Sequence, residues 1–406
     1  MSRLRIRCDA QTKMLKANKF QSIAAPEKPV NGAARRVDTD KHGFQGRGES
    51  PRGHGLRQPS AAFRPVSRLA KTLMFSTAVW SLFACANLSA QEPFQFPTAN
   101  HFLYERGGEL KFFAPTAPDK PWTSGSFGCV RNDGQRLHEG LDILHLQTNR
   151  LGEPADPVMA AADGTVVYIN MKPSLSNYGN YVVVRHSVEG MEIYSLYAHL
   201  SAVRPGLQAG QPVKSGEVIA TMGRTSNAEV IAKDRAHVHF ELNVLVNDNF
   251  AAWFKTASPG ERNDHGEWNG QNLNGLDPRE IFLREHNPAA KFSLLDFIRS
   301  QTELCRVLVR ATNFPYLKRY PMLVLRNPVA EKESVAGYEI ALNFNGVAFA
   351  LMPRAPSEIK SAAKFQLLSV NESEEKANPC RHLVVQRGGK WQLANEGLRE
   401  VELLAY

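Results

Sequence analysis

The sequence predicts a mainly β protein. Between residues 114 and 246, short apolar runs of strand length alternate with glycine and proline turns. Beyond residue 290, two more glycine turns each sit between alternating apolar runs. The first group of predicted strands covers 158–162, 164–169, 181–185, 193–197 and 237–242. Residues 250–285 are polar and turn-rich, with Ser258-Pro259-Gly260, Asn269-Gly270 and Asn274-Gly275. Leu276-Asp277-Pro278 then leads into a short predicted helix at 279–285, and a second helix is expected at 294–302. Asn345-Gly346 and Gly388-Gly389 predict hairpins, because such pairs accept the positive φ of tight β-turns. These signals place a second, smaller β-rich domain of unassigned role at 290–406.

Charge is divided unevenly along the 406 residues. The whole chain has 49 Lys+Arg against 40 Asp+Glu, a net of +9. Residues 1–71 alone carry +11, whereas 91–406 carry −2. A basic balance suggests nucleic acid, but here it belongs to an N-terminal stretch rich in Arg, Gly, Pro and Ser, so no nucleic-acid partner is expected. Residues 1–65 are predicted to be a disordered basic tail. At 66–90, Arg68 and Lys71 precede the apolar run 73–83 and the small-residue exit Asn87-Leu88-Ser89-Ala90. That is the pattern of a secretory signal peptide, whose apolar core is about 7–15 residues, shorter than the about 20 needed to span a bilayer. Cleavage is therefore expected, with membrane contact only through this segment if it is uncleaved. A lipid anchor at Leu82-Phe83-Ala84-Cys85 is the weaker alternative, because Phe83 fits such a motif poorly. A signal beginning this far along suggests that natural translation starts downstream, for example at Val66. An exported chain would retain Cys129, Cys305 and Cys380; Cys305 and Cys380 share the C-terminal region and could pair, leaving Cys129 free, a bond the sequence does not prove.

Three segments carry residues able to do chemistry: His138-Glu139-Gly140-Leu141-Asp142, Tyr197-Ala198-His199-Leu200 and His237-Val238-His239-Phe240-Glu241. Imidazole and carboxylate are zinc-compatible ligands, and a catalytic zinc keeps three protein ligands and a water. His237 and His239 are i and i+2 on a predicted strand, so they share a face about 6.6–6.8 Å apart. One can bind a metal while the other reaches a water or substrate beside it. His138 and Asp142 would lie about 13 Å apart on a straight strand. The chain must therefore bend between them, most easily at Gly140. His101, His145, His186, His265, His286 and His382 are expected to be structural or surface residues. Cys129 is expected to be a small buried residue, with a fourth metal ligand as the sharper possibility.

Together these motifs resemble those of the lysostaphin/LytM-type zinc endopeptidases of bacterial cell walls. The resemblance also takes in 156–166, Tyr178-Gly179-Asn180-Tyr181-Val182, Gly210-Gln211-Pro212-Val213 and Gly216-Glu217-Val218-Ile219-Ala220, and it keeps order and spacing over about 130 residues. It implies a lysostaphin/LytM-like antiparallel sheet with a groove, in an endopeptidase domain at 91–289 with its core at about 114–246 and an insert at 244–276. It implies one Zn2+ per chain on His138, Asp142 and His239, with His199 and His237 as the catalytic histidines. It leaves open which of those two is the base. Peptidoglycan is the implied partner and the periplasm, cell envelope or exterior the implied location. Two other functions stay in view: a non-catalytic LytM-like protein that binds the wall or activates an amidase, and a periplasmic metalloprotease acting on protein or peptide. The sequence departs from the family at Ser226 to Ala236, where charged residues (Glu229, Lys233, Asp234, Arg235) replace a short Gly/Ser turn, and at the 244–276 insert.

Overall fold

Nine residues, HVHFELNVL, form a strand buried at every position, and the rest of the fold is arranged around it. The computed structural model describes residues 93–228 and 230–406. The expected basic tail, the signal segment with its lipid-anchor alternative, and Glu229 lie outside the described residues. The first twelve strands are β1 Gly128–Arg131, β2 Arg136–His138, β3 Leu141–Leu144, β4 Pro157–Met159, β5 Gly164–Asn170, β6 Tyr181–Val188, β7 Met191–Ala198, β8 Ala202–Val203, β9 Pro212–Val213, β10 Val218–Thr221, β11 His237–Leu245 and β12 Leu273–Leu276. The main sheet is antiparallel, in the order β12-β11-β7-β6-β5-β9. β3 and β12 lie end to end on one edge of β11, pairing with 237–240 and 242–245, and β7 takes the other edge.

Strand periodicity divides the faces. On β11, Val238, Phe240, Leu242 and Val244 enter the main hydrophobic core with Val182, Val184 and Tyr197. The alternate residues His237, His239, Glu241 and Asn243 share the opposite face with Leu245, which packs on Tyr181, Tyr194 and Leu196. A sequence that alternates polar and apolar usually marks a half-exposed strand. Here the polar half is buried too.

The insert is more regular than the sequence suggested. Its residues 250–257 form a helix that buries Phe250, Trp253 and Phe254, an i, i+3, i+4 stripe. Asn274-Gly275, expected to be a turn, lies inside β12, where the glycine serves close packing: a Cβ on Gly275 would sit 2.7 Å from the Glu139 carbonyl. Among the described residues no helix is long and apolar enough to cross a membrane.

From residue 305 the chain adds β13 Cys305–Val309, β14 Gly337–Leu342, β15 Ala348–Arg354, β16 Phe365–Val370, β17 Val384–Arg387 and β18 Lys390–Leu393. The first four make an antiparallel sheet in the order β15-β14-β13-β16. Both hairpins form at the expected turns, with Gly346, Gly388 and Gly389 at positive φ. Buried polar contacts tie this sheet and the final helix, Asn395–Leu404, to the first. Asn345 donates to the Gly275 carbonyl (2.8 Å), and Asn274 donates to Glu400 (2.7 Å), which also receives Arg381 (3.0 Å).

The cysteine pairing that the sequence left open is not Cys305 with Cys380. Cys129 on β1 bonds Cys380, in the turn Pro379–Arg381, with Cα atoms 5.4 Å apart. Among the described residues Cys305 is the free one, fully buried in the core with Val307 and Val309 on the inner face of β13. Burial pushes its thiol up to about 12. Sharing a region of sequence was a poor guide, because strand alternation turns Cys305 inward while the 379–381 turn faces β1. The bond also excludes Cys129 as a fourth metal ligand.

His186 on β6 shows what a structural histidine does here. Its Nδ1 donates to the Asp163 carbonyl (2.9 Å), and its Nε2 lies 2.6 Å from Ser195 Oγ. Burial lowers its pKa to about 4, against about 6.5 in the unfolded chain. The unfolded state then binds more protons between these values, so stability is full above pH 6.5 and falls as pH drops towards 4. The expected loss is about 3 kcal/mol. Denaturant titrations at pH 7 and pH 4.5 should show it in the wild type, and a His186→Gln variant should lose most of this pH dependence.

Candidate metal centre and cleft

β2 delivers His138 at its last residue, and β3 begins at Leu141, so the chain does bend between His138 and Asp142. Gly140 is required there by proximity: a Cβ would stand 2.2 Å from the Phe240 carbonyl and 2.9 Å from Glu241 Cγ. β3 then pairs with β11 in a register that sets Asp142 directly opposite His239. On the other edge of β11, Ala198 of β7 is the partner of His239, which brings His199 to the same level. His199 takes a left-handed conformation (φ 59°) as the chain leaves β7, a costly geometry for a non-glycine residue that concentrates at functional sites. Its amide is held by the Tyr178 carbonyl at 2.8 Å.

All five residues singled out in the sequence, His138, Asp142, His199, His237 and His239, line one cleft of about 870 Å³. Three of them offer ligand atoms within 4.8 Å of one another: His138, Asp142 and His239, all buried. His138 Nε2 lies 3.0 Å from His239 Nδ1 and 3.1 Å from Asp142 Oδ1; His239 Nδ1 lies 3.0 Å from the same oxygen. Such a triad could hold a metal ion. His237 Nε2 is 3.5 Å from that oxygen, and its ring meets His199 edge-on at 4.9 Å.

The far nitrogen of each histidine is anchored. Nδ1 of His138, His199 and His237 faces the carbonyls of Ser126 (2.7 Å), Thr225 (2.8 Å) and Arg235 (2.6 Å). A carbonyl only accepts, so each Nδ1 carries a proton, and the neutral tautomer of each ring turns a bare Nε2 into the cleft. His239 is reversed: its Nε2 donates to Glu241 (2.8 Å), itself held by Asn243 (2.8 Å), and its Nδ1 faces the triad. Outer partners of this kind fix the orientation of metal-binding rings.

Electrostatics follow from this packing. Burial opposes the charge on Asp142, but His138, His237 and Arg131 outweigh it and hold the carboxyl well below its usual range. Burial, aided by the neighbouring imidazoles, pushes His199 down to about 3; burial also lowers His237. Burial works in the same direction on His239, yet its bonds to Asp142 and Glu241 lift it to about 10.

Some contributors were not assigned a role from the sequence. Arg131 bonds the second oxygen of Asp142. It reaches the cleft because the β1–β2 register shifts between Cys129 and Arg131. Glu241 continues the i, i+2 alternation of His237 and His239, so the spacing could have found it. Tyr178 lines the cleft with its ring centroid 5.5 Å from that of His239.

Residues 136–250 match the model for peptidase family M23. This stretch is similar to the M23 peptidase domain. Over 109 residues the chain is 37% identical to a DD-carboxypeptidase/endopeptidase Mpg of Neisseria meningitidis, covering 27% of this chain and 20% of that protein. It is 31% identical over 105 residues to the murein hydrolase activator NlpD of Escherichia coli, covering 26% of this chain and 22% of the relative. The chain thus spans about a fifth of the length of these relatives. A zinc-containing peptidase from Vibrio cholerae shares 31% identity over 26% of each chain, with a TM-score of 0.20. The M23 match and the mainly antiparallel β fold agree with the fold class and family resemblance read from the sequence.

Proposed function

We propose that the M23 domain is a zinc-dependent endopeptidase that hydrolyses amide bonds in peptidoglycan stem peptides or cross-bridges, in an exported protein of the cell envelope. The observation that carries this reading is the convergence of His138 Nε2, Asp142 Oδ1 and His239 Nδ1 beside two further imidazoles with bare nitrogens. Two nitrogens and one carboxylate oxygen are a donor set that suits zinc and leaves a position for water. The Cys129–Cys380 bond supports export, since structural disulfides persist in oxidising compartments.

His138, Asp142 and His239 would hold the ion, which when bound supplies Lewis acidity towards the scissile carbonyl and a water acidified to about pKa 7. The chain's own residues handle protons and charge. His199 and His237 each turn a bare Nε2 into the cleft, so each can accept a proton there and then, as a cation, donate to developing negative charge. Their carbonyl anchors keep the nitrogens aimed while this happens. Glu241 keeps the ring of His239 from turning away from the triad.

The purified chain is expected to contain about one zinc and to release soluble fragments from isolated cell walls. Metal analysis without zinc, together with intact walls after long incubation, would refute the reading. A second reading, that the domain activates another wall hydrolase, is favoured by the likeness to NlpD. Non-catalytic LytM-like proteins typically lack metal or catalytic residues; all five stand in this cleft, which favours hydrolysis. An activator would leave purified walls intact and stimulate an added amidase.

A further inference from the structure

Arg131 and Arg136 are direct cross-strand partners on the β1–β2 hairpin, and both line the cleft with His138. Like charges directly opposite one another destabilise a strand pair. A regular register would not pair them: Cys129 opposes Leu137, and only the irregularity before Arg131 puts the two arginines together. Bulges of this kind commonly re-aim side chains beside active sites.

The two arginines differ in what they do. Arg131 is committed to Asp142. The other cations of the cleft are engaged as well: Lys120 with Asp133 at 3.5 Å, and Arg235 with the Thr116 carbonyl. Arg136 is exposed and, among the described residues, has no acid within ion-pair distance. Glu139, the remaining acid among the described residues of the cleft, stands near Tyr178 and forms no ion pair with Arg136. Arg136 is also two residues before His138 on the same strand, so it shares that residue's face about 6.6–6.8 Å away. A guanidinium with no acid partner among the described residues is thus placed one residue pair from the candidate metal triad, in a region of the chain whose net charge is −2.

Resting on the proposed peptidase reading, we infer that Arg136 is a specificity residue that binds a free carboxylate of the peptide substrate, flanking the scissile amide. A guanidinium offers a planar fork that matches a carboxylate bidentately, which a lysine ammonium cannot do. The site therefore selects acidic stem peptides over those whose side carboxylates are amidated.

The test uses the zinc-loaded full chain and two synthetic stem peptides, one with side carboxylates free and one with them amidated. Calorimetry should show the wild type binding the acid form about five- to tenfold more tightly. Arg136→Ala should abolish that difference, Arg136→Lys should restore part of it, and Arg136→Glu should reverse it, all with zinc content retained. Equal binding of both peptides by the wild type, no binding of either, or an undiminished acid preference in Arg136→Ala would overturn the inference. Hydrolysis is followed in the same samples. Acid preference without cleavage sinks the peptidase reading and leaves Arg136 as a carboxylate-binding residue only; cleavage without preference sinks the Arg136 inference and leaves the peptidase reading standing.

Discussion

Replacing His237 with alanine is expected to leave about one zinc on the chain and to lower wall hydrolysis by about 10²–10⁴-fold, the range for loss of a positioned general acid or base. His239→Ala should instead lose the metal, and activity with it. The two residues are chemically identical and two positions apart on one strand face, so only their surroundings separate them. His239 Nδ1 lies within 3.0 Å of both His138 Nε2 and Asp142 Oδ1, with Glu241 behind it. His237 meets the same oxygen at 3.5 Å and packs its ring on His199. His199→Ala should behave as His237→Ala does. Zinc stoichiometry and fragment release, measured on the same preparations, decide the matter. If His237→Ala lost zinc and His239→Ala kept it, the assignment would be reversed.

The legible part of this site is what a period of two can express. His237 and His239 had to share a face, His138 and Asp142 had to be separated by a bend, and the structure has both. What the sequence could not express comes from register and from irregular backbone. The pairing of β3 and β7 with the two edges of β11 sets Asp142 and His199 level with His239, and no local pattern encodes it. His199 is aimed by a left-handed turn at a residue type that rarely adopts one. Arg131 enters through a strand irregularity, invisible to any count of alternating positions. Two elements were legible and were not expected. The stripe Phe250, Trp253, Phe254 has helical spacing inside a segment whose turns dominated the reading. Gly397, Glu400, Val401 and Leu404 repeat that spacing in the final helix. Asn274-Gly275 misled for a physical reason: glycine suits a turn and a crowded strand equally well, and only the neighbouring Glu139 carbonyl distinguishes the two.

Removing the Cys129–Cys380 bond is expected to cost about 2–5 kcal/mol, because it closes a loop spanning 251 positions and long loops gain the most from closure. The cost should also reach the metal site. β1 and β2 form a two-stranded sheet of their own, and an isolated hairpin is at best marginally stable in water. Cys129 sits opposite Leu137, the residue before His138, so the disulfide holds the hairpin that presents this proposed metal ligand and both cleft arginines. Cys380→Ser should therefore lower the unfolding midpoint and let a chelator strip zinc faster than it does from the wild type. Cys305→Ala is the control: it trims one buried side chain on β13 and touches no strand of the cleft, so zinc release should be unchanged. A reducing agent should bring the wild type to the behaviour of Cys380→Ser and leave that variant where it is. Peptide mapping under non-reducing conditions that joined Cys305 to Cys380 would refute the pairing. An unchanged midpoint in Cys380→Ser would refute its role as the tether.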